Sequence, residues 1–251
     1  MTYAKAFFDL QLEFALRASA LSGLPLARTV LEYTNFFIRF GLGRGFDPAH
    51  PIWQEYLAGL PEAGDADEWT YRFYLTRSQG TGAPPVVATF GCFSYALSSG
   101  DAVRLHFENA EPDGSSPLGR DRVSWRLAEL ASLFDHVKQT QGHARQVLGA
   151  SWLYNLEAYR RLFPKSYLAS AHAIHGRFQH MPLWGQFVDR HGEIKERLTR
   201  PFQERIERES RLDRLEQCFP FQVLSVRAPV AEFYDFYGLT DDGPGRERNR
   251  A

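Results

Sequence analysis

The sequence predicts a mixed α/β fold of the α+β type, in which a helical N-terminal block precedes a mixed, antiparallel-dominated sheet flanked by helices. Three observations predict this class. Apolar residues recur every three to four positions over the first sixty residues, as on the buried face of a helix. The period changes to two at Trp69, as in a strand with one buried face. Beyond residue 123, segments of helical and of strand-like spacing alternate.

Three helices are expected in the N-terminal region. The first ends at Ser22-Gly23, the second follows Pro25, and the third begins at Pro51, where proline fits the first turn of a helix. The acidic segment PEAGDADE, residues 61–68, reads as a linker. We therefore expect a helical N-terminal region over residues 1–64, an α/β domain over 65–239 and a disordered tail over 240–251.

Three successive antiparallel strands are expected after the linker. The first covers residues 69–76, where the faces alternate. The second, VVATFGCFSYAL at residues 86–97, is apolar on both faces, which is typical of a central strand covered on both sides. A hairpin turn at Ser98-Ser99-Gly100-Asp101 leads into the third strand, residues 103–108.

Helices and strands alternate in the rest of the chain. The first expected elements are a helix that begins at Val123 and is ended by Gln141-Gly142, a strand over 144–155, and a helix over 156–167 stopped or kinked at Pro164. A charged helix over 193–217, bent or restarted at Pro201, a strand over 220–228 and a short helix over 229–239 follow. Residues 172–188 fit one or two strands only loosely.

Composition and charge exclude several classes of function. With 29 basic and 30 acidic residues, the chain lacks the basic surface that binds a phosphate backbone, so no nucleic-acid partner is expected. The two cysteines have no metal-type spacing and read as reduced thiols. The first eighteen residues carry four charges and no long apolar run, so we expect no membrane partner and a cytoplasmic location. The oligomeric state is left open.

The stretch from Val103 to Arg122 is the expected functional site. Its strand alternates apolar with ionisable residues, which places His106 and Glu108 on one face. A loop rich in Gly, Ser and Pro follows and runs into the helix at Val123, where backbone amides are free.

The order of elements from Trp69 to about Ala228 resembles that of the GNAT superfamily of acyl-CoA-dependent acyltransferases. The best local match is Asn155-Leu156-Glu157-Ala158 at a strand-to-helix junction, which looks like the family's Asn-x-x-Ala element. The resemblance implies acyl-CoA as cofactor and transfer of an acyl group to an amine or hydroxyl of a small molecule. No metal is expected.

In such a fold the loop before residue 123 would hold the cofactor phosphates. The family's motif, Arg or Gln followed by x-x-Gly-x-Gly or Ala, is absent, and GSSPLGRDR stands in its place. Free amides at the helix start and two arginines favour an anionic phosphate. The alternative is a simple turn with Asp121 as a helix cap. The candidate cofactor-binding residues are Gly114, Ser115, Ser116, Gly119, Arg120, Arg122 and Asn155.

Four residues are candidates for proton transfer in that reaction. His106 or Glu108 would deprotonate the attacking amine, which requires a pKa near the working pH. The alternative is a solvent-facing polar edge in cross-strand pairs. Tyr154 or Tyr159 would return a proton to the leaving thiolate, unless both pack in the core as most tyrosines do.

Two other functions stay open at this point. One is a non-catalytic protein of the same fold that binds a small ligand or a partner. The other is a metalloenzyme that uses the cluster His172, His175 and His180, although neither a strand nor a helix brings all three imidazoles together.

Overall fold

A computed structural model describes the chain over residues 2–43, 45–62, 65–77, 86–98, 100–111 and 115–239. The chain forms two compact units, the first from residues 1–83 and 173–223, the second from residues 84–172 and 224–251. Helices fill most of the region 1–64, and whether it is a domain of its own stays a prediction. The expected tail over 240–251 lies outside the described residues.

Within the described residues the chain forms eleven α-helices and six strands. The helices are α1 (Lys5–Ser22), α2 (Leu26–Tyr33), α3 (Phe36–Arg39), α4 (Pro51–Glu62), α5 (Ala66–Arg77), α6 (Val123–Thr140), α7 (Glu157–Arg160), α8 (Lys165–Ala169), α9 (Met181–Trp184), α10 (Glu196–Arg208) and α11 (Val230–Phe236). The strands are β1 (Ala88–Phe90), β2 (Phe93–Ser98), β3 (Ala102–Phe107), β4 (Gln146–Ser151), β5 (His172–Ala173) and β6 (Leu224–Pro229). The predicted mixed α/β class is confirmed.

Residues 69–76 form a helix, so the strand predicted there is wrong. They belong to α5, and the Asp65 carboxylate accepts two backbone hydrogen bonds of 3.0 Å from the first turn of that helix. The buried residues of the helix recur at helical spacing: Thr70, Phe73 and Tyr74. The aromatic and polar residues of this segment fit the period of a strand and that of a helix. The cap at Asp65 and the burial of one side in the first unit favour the helix.

Aromatic side chains around α1 hold the first unit together. The rings of Phe8 and Tyr74 lie 4.4 Å apart between centroids, and Phe14 packs on Phe202 of α10 at 5.7 Å. The high aromatic content of the sequence therefore builds this core. The helix predicted over 193–217 with a bend or restart at Pro201 is shorter: α10 continues through Pro201 and ends at Arg208, and residues Leu212–Cys218 form a 3₁₀-helix.

The second unit is built on a mixed sheet with the strand order β1-β2-β3-β4-β6-β5. The registered pairs β1–β2, β2–β3 and β4–β6 are antiparallel, whereas β3–β4 is parallel. The predicted hairpin between the second and third strands is confirmed by the β2–β3 pairing. Helix α6 makes the connection between the two parallel strands, as such a connection requires.

The predicted central strand over residues 86–97 is wrong in two respects. It is divided into β1 and β2 by a tight turn, and β1 lies at the sheet edge with Val86 and Val87 exposed. Gly91 in the turn has φ +56°, and a Cβ at that position would overlap the Glu129 carboxylate. That carboxylate accepts the backbone N–H of Cys92 at 3.1 Å, so the side chain from α6 fixes the turn.

The two faces of the sheet differ in chemistry. One face packs against α6, α7, α8 and α11 and forms an apolar core. Its strand residues include Phe93, Tyr95, Val103, Leu105, Val147, Val226 and Ala228. Directly opposed residues in a sheet share a face, so the intervening positions define a second face, which we call the polar face.

The segment after β4 departs from the predicted long strand and helix. The strand ends at Ser151, whose hydroxyl caps a 3₁₀-helix over Trp152–Asn155. Two short helices, α7 and α8, replace the helix predicted over 156–167, because Pro164 begins the second of them and cannot continue the first. No helix in the described part of the chain is both long and apolar enough to cross a membrane.

Candidate active site

The parallel strands β3 and β4 part in the middle of the sheet. Their last registered pair is Arg104–Leu148, after which each strand continues for three residues, to Phe107 and Ser151. Over those residues β3 remains paired with β2 and β4 with β6. The sheet therefore opens between the two strands, and we call this opening the β3–β4 gap.

Backbone polar groups face this gap from both sides. The Glu108 N–H donates to the Cys92 carbonyl at 2.9 Å, so alternate residues of β3 direct their polar groups toward β2 and Phe107 directs its own toward β4. The Arg145 carbonyl accepts a hydrogen bond of 2.9 Å from the N–H of Val230, directly after β6, so the alternation along β4 directs the polar groups of Ala150 toward β3. An extended chain in the gap would meet strand-type donors and acceptors.

The two candidate bases lie two residues apart at the end of β3, His106 on the polar face and Glu108 just beyond the last residue of the strand. His106 is half-buried and opposite Ser94 of β2, and Glu108 follows the end of β3 as an exposed side chain. The register places His106 on the face that the alternation predicts, and the face of Glu108 stays a prediction.

The candidate acids lie on the opposite face, in the aromatic core. Tyr154 and Tyr159 are 3% and 2% exposed, and their rings pack edge to face at 5.2 Å. Burial raises the pKa of each phenol well above its usual range. The structure therefore groups the two phenols with each other and separates them from His106 and Glu108 by the thickness of the sheet.

Tyr167 is a third buried phenol that sequence reasoning missed. Its hydroxyl lies 2.9 Å from that of Tyr154, and burial also raises its pKa well above the usual range. A Cβ on Gly149 of β4 would overlap both hydroxyl oxygens. The glycine in an otherwise apolar strand was the available signal, because such a glycine often marks the close approach of another group.

The candidate phosphate loop is held in place by charged side chains. Arg122 donates to the Ser115 hydroxyl at 3.1 Å and lies 3.7 Å from Glu111. Arg161 donates to the backbone carbonyls of Leu118 and Gly119 at 2.7 and 3.0 Å. Two of the basic side chains near the loop are therefore engaged with the protein itself.

The remaining loop candidates differ in exposure. Arg120 and Ser116 are exposed, and Arg120 has no ion pair with any residue that the structure describes. Gly119 begins the turn that leads into α6 and is half-buried. Gly114 lies outside the described residues. The loop thus presents one exposed arginine beside the start of α6.

A buried ion network beneath this loop was not predicted. Arg126, 3% exposed, pairs with Glu111 and, at 3.0 Å, with Glu129. Burial raises the pKa of Glu129, against the opposing effects of the Cys92 N–H and the Arg126 charge. The signal in the sequence was that Arg126 lies on the apolar stripe of α6. The core positions Val123 and Leu130 lie three residues before it and four residues after it.

Asn155 does not cap the helix that follows it. Its side-chain amide donates to the Trp152 carbonyl at 2.7 Å and closes the 3₁₀-turn, whereas Leu156 occupies the N-cap position of α7. The residue is exposed, at the end of the segment that leaves β4.

No protein-family model, curated protein or solved structure matches the chain.

The three clustered histidines lie apart from the gap residues along the chain, and they show no shared centre. His175 is 72% exposed at its side chain and its Nδ1 lies 3.2 Å from Glu216. His172 is exposed and contacts the Ser170 carbonyl. Among the residues that the structure describes, no group of three or more His, Cys, Asp or Glu side chains is placed to hold a metal ion.

Proposed function

We propose that the chain is a cytoplasmic GNAT-like acyltransferase, which moves an acyl group from a CoA-type thioester to an amine or hydroxyl of a small molecule. The observation that carries the proposal is the β3–β4 gap. Two adjacent parallel strands that pair and then part leave a slot lined by the polar groups of Phe107 and Ala150. An amide-bearing chain such as a pantetheine arm would complete the interrupted ladder there.

The surroundings of the gap supply further parts of such a site. Helix α6 begins after the loop that follows β3, so the positive end of its dipole and Arg120 would receive the phosphates of the donor. His106 and Glu108 at the polar face would take the proton of the acceptor. The phenols of Tyr154 and Tyr159 at the core face have raised pKa values, so they stay protonated and would serve as acids.

Thermal unfolding with acetyl-CoA, longer acyl-CoAs and free CoA tests the proposal. A ligand at a hundred times its Kd stabilises the folded state by about 2.7 kcal/mol, which is readily measured as a rise in Tm. We expect Arg120→Glu to reduce the rise for acyl-CoA but not for an acyl-pantetheine without nucleotide phosphates. Arg160→Glu, at another exposed arginine, is the matched control. Absence of any rise with all three CoA forms would refute the proposal.

A non-catalytic binding protein on the same fold is the second candidate. The observation that favours it is the internal pairing of Arg122 and Arg126 with Glu111, which occupies basic groups that a phosphate would otherwise use. This alternative predicts that the variants His106→Ala and Glu108→Gln bind the ligand with the affinity of the wild type. It also predicts that neither the variants nor the wild type show any turnover. If the wild type turns over its substrate and these variants do not, the protein is an enzyme and the alternative is refuted.

A further inference from the structure

The polar face of the sheet carries basic side chains on a floor of small residues. Three rows of laterally paired residues cross the four strands β2, β3, β4 and β6. The rows are Ser98–Ala102–Gln146–Pro229, Ala96–Arg104–Leu148–Arg227, and Ser94–His106 beside Ala150–Ser225 across the gap. Two arginines and a histidine stand in this grid, and none of the twelve residues is acidic.

The two arginines flank a single leucine. Arg104 is opposite Leu148 in the parallel pair, and Leu148 is opposite Arg227 in the antiparallel pair, so both guanidinium groups rise from the same face. Their Cα atoms are two strand spacings apart, roughly 10 Å. Arginine side chains are long enough to converge over one ligand group between them. The small neighbours Ala150 and Ser225 leave room for it.

No acidic side chain that the structure describes neutralises either arginine. Arg227 is exposed and Arg104 half-buried, and neither forms an ion pair with any of the residues described. The arginines near the loop contrast with them, since Arg122 and Arg126 both meet Glu111. Two like charges on one face, two strands apart, repel each other, and an anion between them would replace that repulsion by two charge-assisted hydrogen bonds.

We propose that Arg104 and Arg227 form an oxyanion-binding subsite, which takes the carboxylate or phosphate of a small ligand at the closed end of the β3–β4 gap. Arg104–Leu148 is the last pair before the strands part, and His106 lies two residues further along the same face. A bound carboxylate would therefore hold an acceptor with its nucleophile toward His106. That last step rests on the proposed acyl transfer, whereas the binding of the oxyanion does not.

The test measures stabilisation by inorganic phosphate and by succinate at constant ionic strength. We expect either anion to raise the Tm of the wild type and the variant R104Q/R227Q to bind it at least tenfold more weakly, since two charge-assisted bonds are lost. Arg145→Gln is the matched control, because this exposed arginine directly precedes β4 and is not part of the grid. Equal binding by the wild type and R104Q/R227Q would overturn the subsite, as would an absent response to both anions.

Further measurements distinguish the possible sources of the anion and check that the double variant is folded. Circular dichroism checks the double variant, and the single variants, each with an intermediate loss, replace it if it does not fold. If free CoA binds R104Q/R227Q as it binds the wild type while succinate does not, the subsite serves a carboxylate ligand. If CoA binding falls in parallel with phosphate binding, the subsite serves the donor. Binding of succinate without any CoA response would refute the proposed acyl transfer and leave the subsite standing.

Discussion

Replacement of Gly149 by alanine tests how tightly the aromatic core closes against β4 beside the gap. The new Cβ would lie well within 3.0 Å of the hydroxyl oxygens of Tyr154 and Tyr167, which hydrogen-bond to each other at 2.9 Å. Both phenols are buried in a cluster of rings and have little freedom to withdraw. The backbone of β4 is held between β3 and β6, so the strain falls on the hydroxyl pair.

The cost can be worked out from two contributions. Overpacking by one methyl group in a filled core costs about 1–3 kcal/mol. Loss of the hydroxyl–hydroxyl bond adds about 0.5–1.5 kcal/mol. Gly149→Ala should therefore lower the free energy of unfolding by about 2–4 kcal/mol, at about 2–4 °C of Tm per kcal/mol for a chain of this size.

Urea unfolding followed by circular dichroism measures this cost. Gly142→Ala is the control, because no heavy atom lies within 4 Å of a Cβ at that position, and it should change stability by less than about 1 kcal/mol. In the background Tyr154→Phe/Tyr167→Phe, which lacks both hydroxyls, the cost of Gly149→Ala should fall by at least about 1 kcal/mol. A cost near zero, or one that is the same in both backgrounds, would refute the close approach.

Three further predictions concern the elements that sequence reasoning missed. Asp65→Ala removes the cap of α5 and should cost about 1 kcal/mol in urea unfolding, whereas Asp65→Asn should cost less; equal costs would contradict a capping role. Arg126→Met removes the closer partner of the buried Glu111 carboxylate, 7% exposed, and leaves Arg122 at 3.7 Å, so it should cost about 3 kcal/mol, against less than about 0.5 kcal/mol for Arg160→Met. Burial raises the pKa of Glu129 above 4.5, so its ionisation opposes folding as the pH rises through that value. The free energy of unfolding of the wild type, relative to that of Glu129→Gln, should therefore fall as the pH rises from 4 toward neutrality. If urea unfolding at a series of pH values shows this difference rising instead, the ion pair with Arg126 lowers the pKa of Glu129.

The elements predicted best are those in which the periodic apolar pattern is accompanied by a residue, such as Gly or Pro, that begins or ends a helix or turn. Helix α1 ends where Gly23 adopts φ +71°, and α11 begins after Pro229. The β2–β3 hairpin follows from alternation around a turn. Where two periods fit equally, as over residues 69–76, the sequence pattern alone could not decide, because the deciding contacts are made by distant parts of the chain.

The candidate site was predictable in part for the same reason. Alternation along β3 placed His106 on the face opposite the apolar core, because a strand fixes the side of each residue locally. Tyr167 and Arg227 were not found, since each becomes relevant through a partner far along the chain. The separation of β3 and β4 also depends on the pairing of distant strands, and no local sequence pattern in either strand predicts it.

The candidate base and acids lie on opposite faces of the sheet, and the gap is what makes that arrangement compatible with one reaction. In a continuous sheet His106 and Tyr154 could not reach the same ligand atom. Where β3 and β4 part, a thioester lying between them would present one side to the polar face and the other to the phenols. On the proposed function, His106→Ala should therefore lower kcat by about 10²–10⁴-fold with the Kd of the acyl donor unchanged. Loss of donor binding in that variant would place His106 in the donor site and remove it as the base.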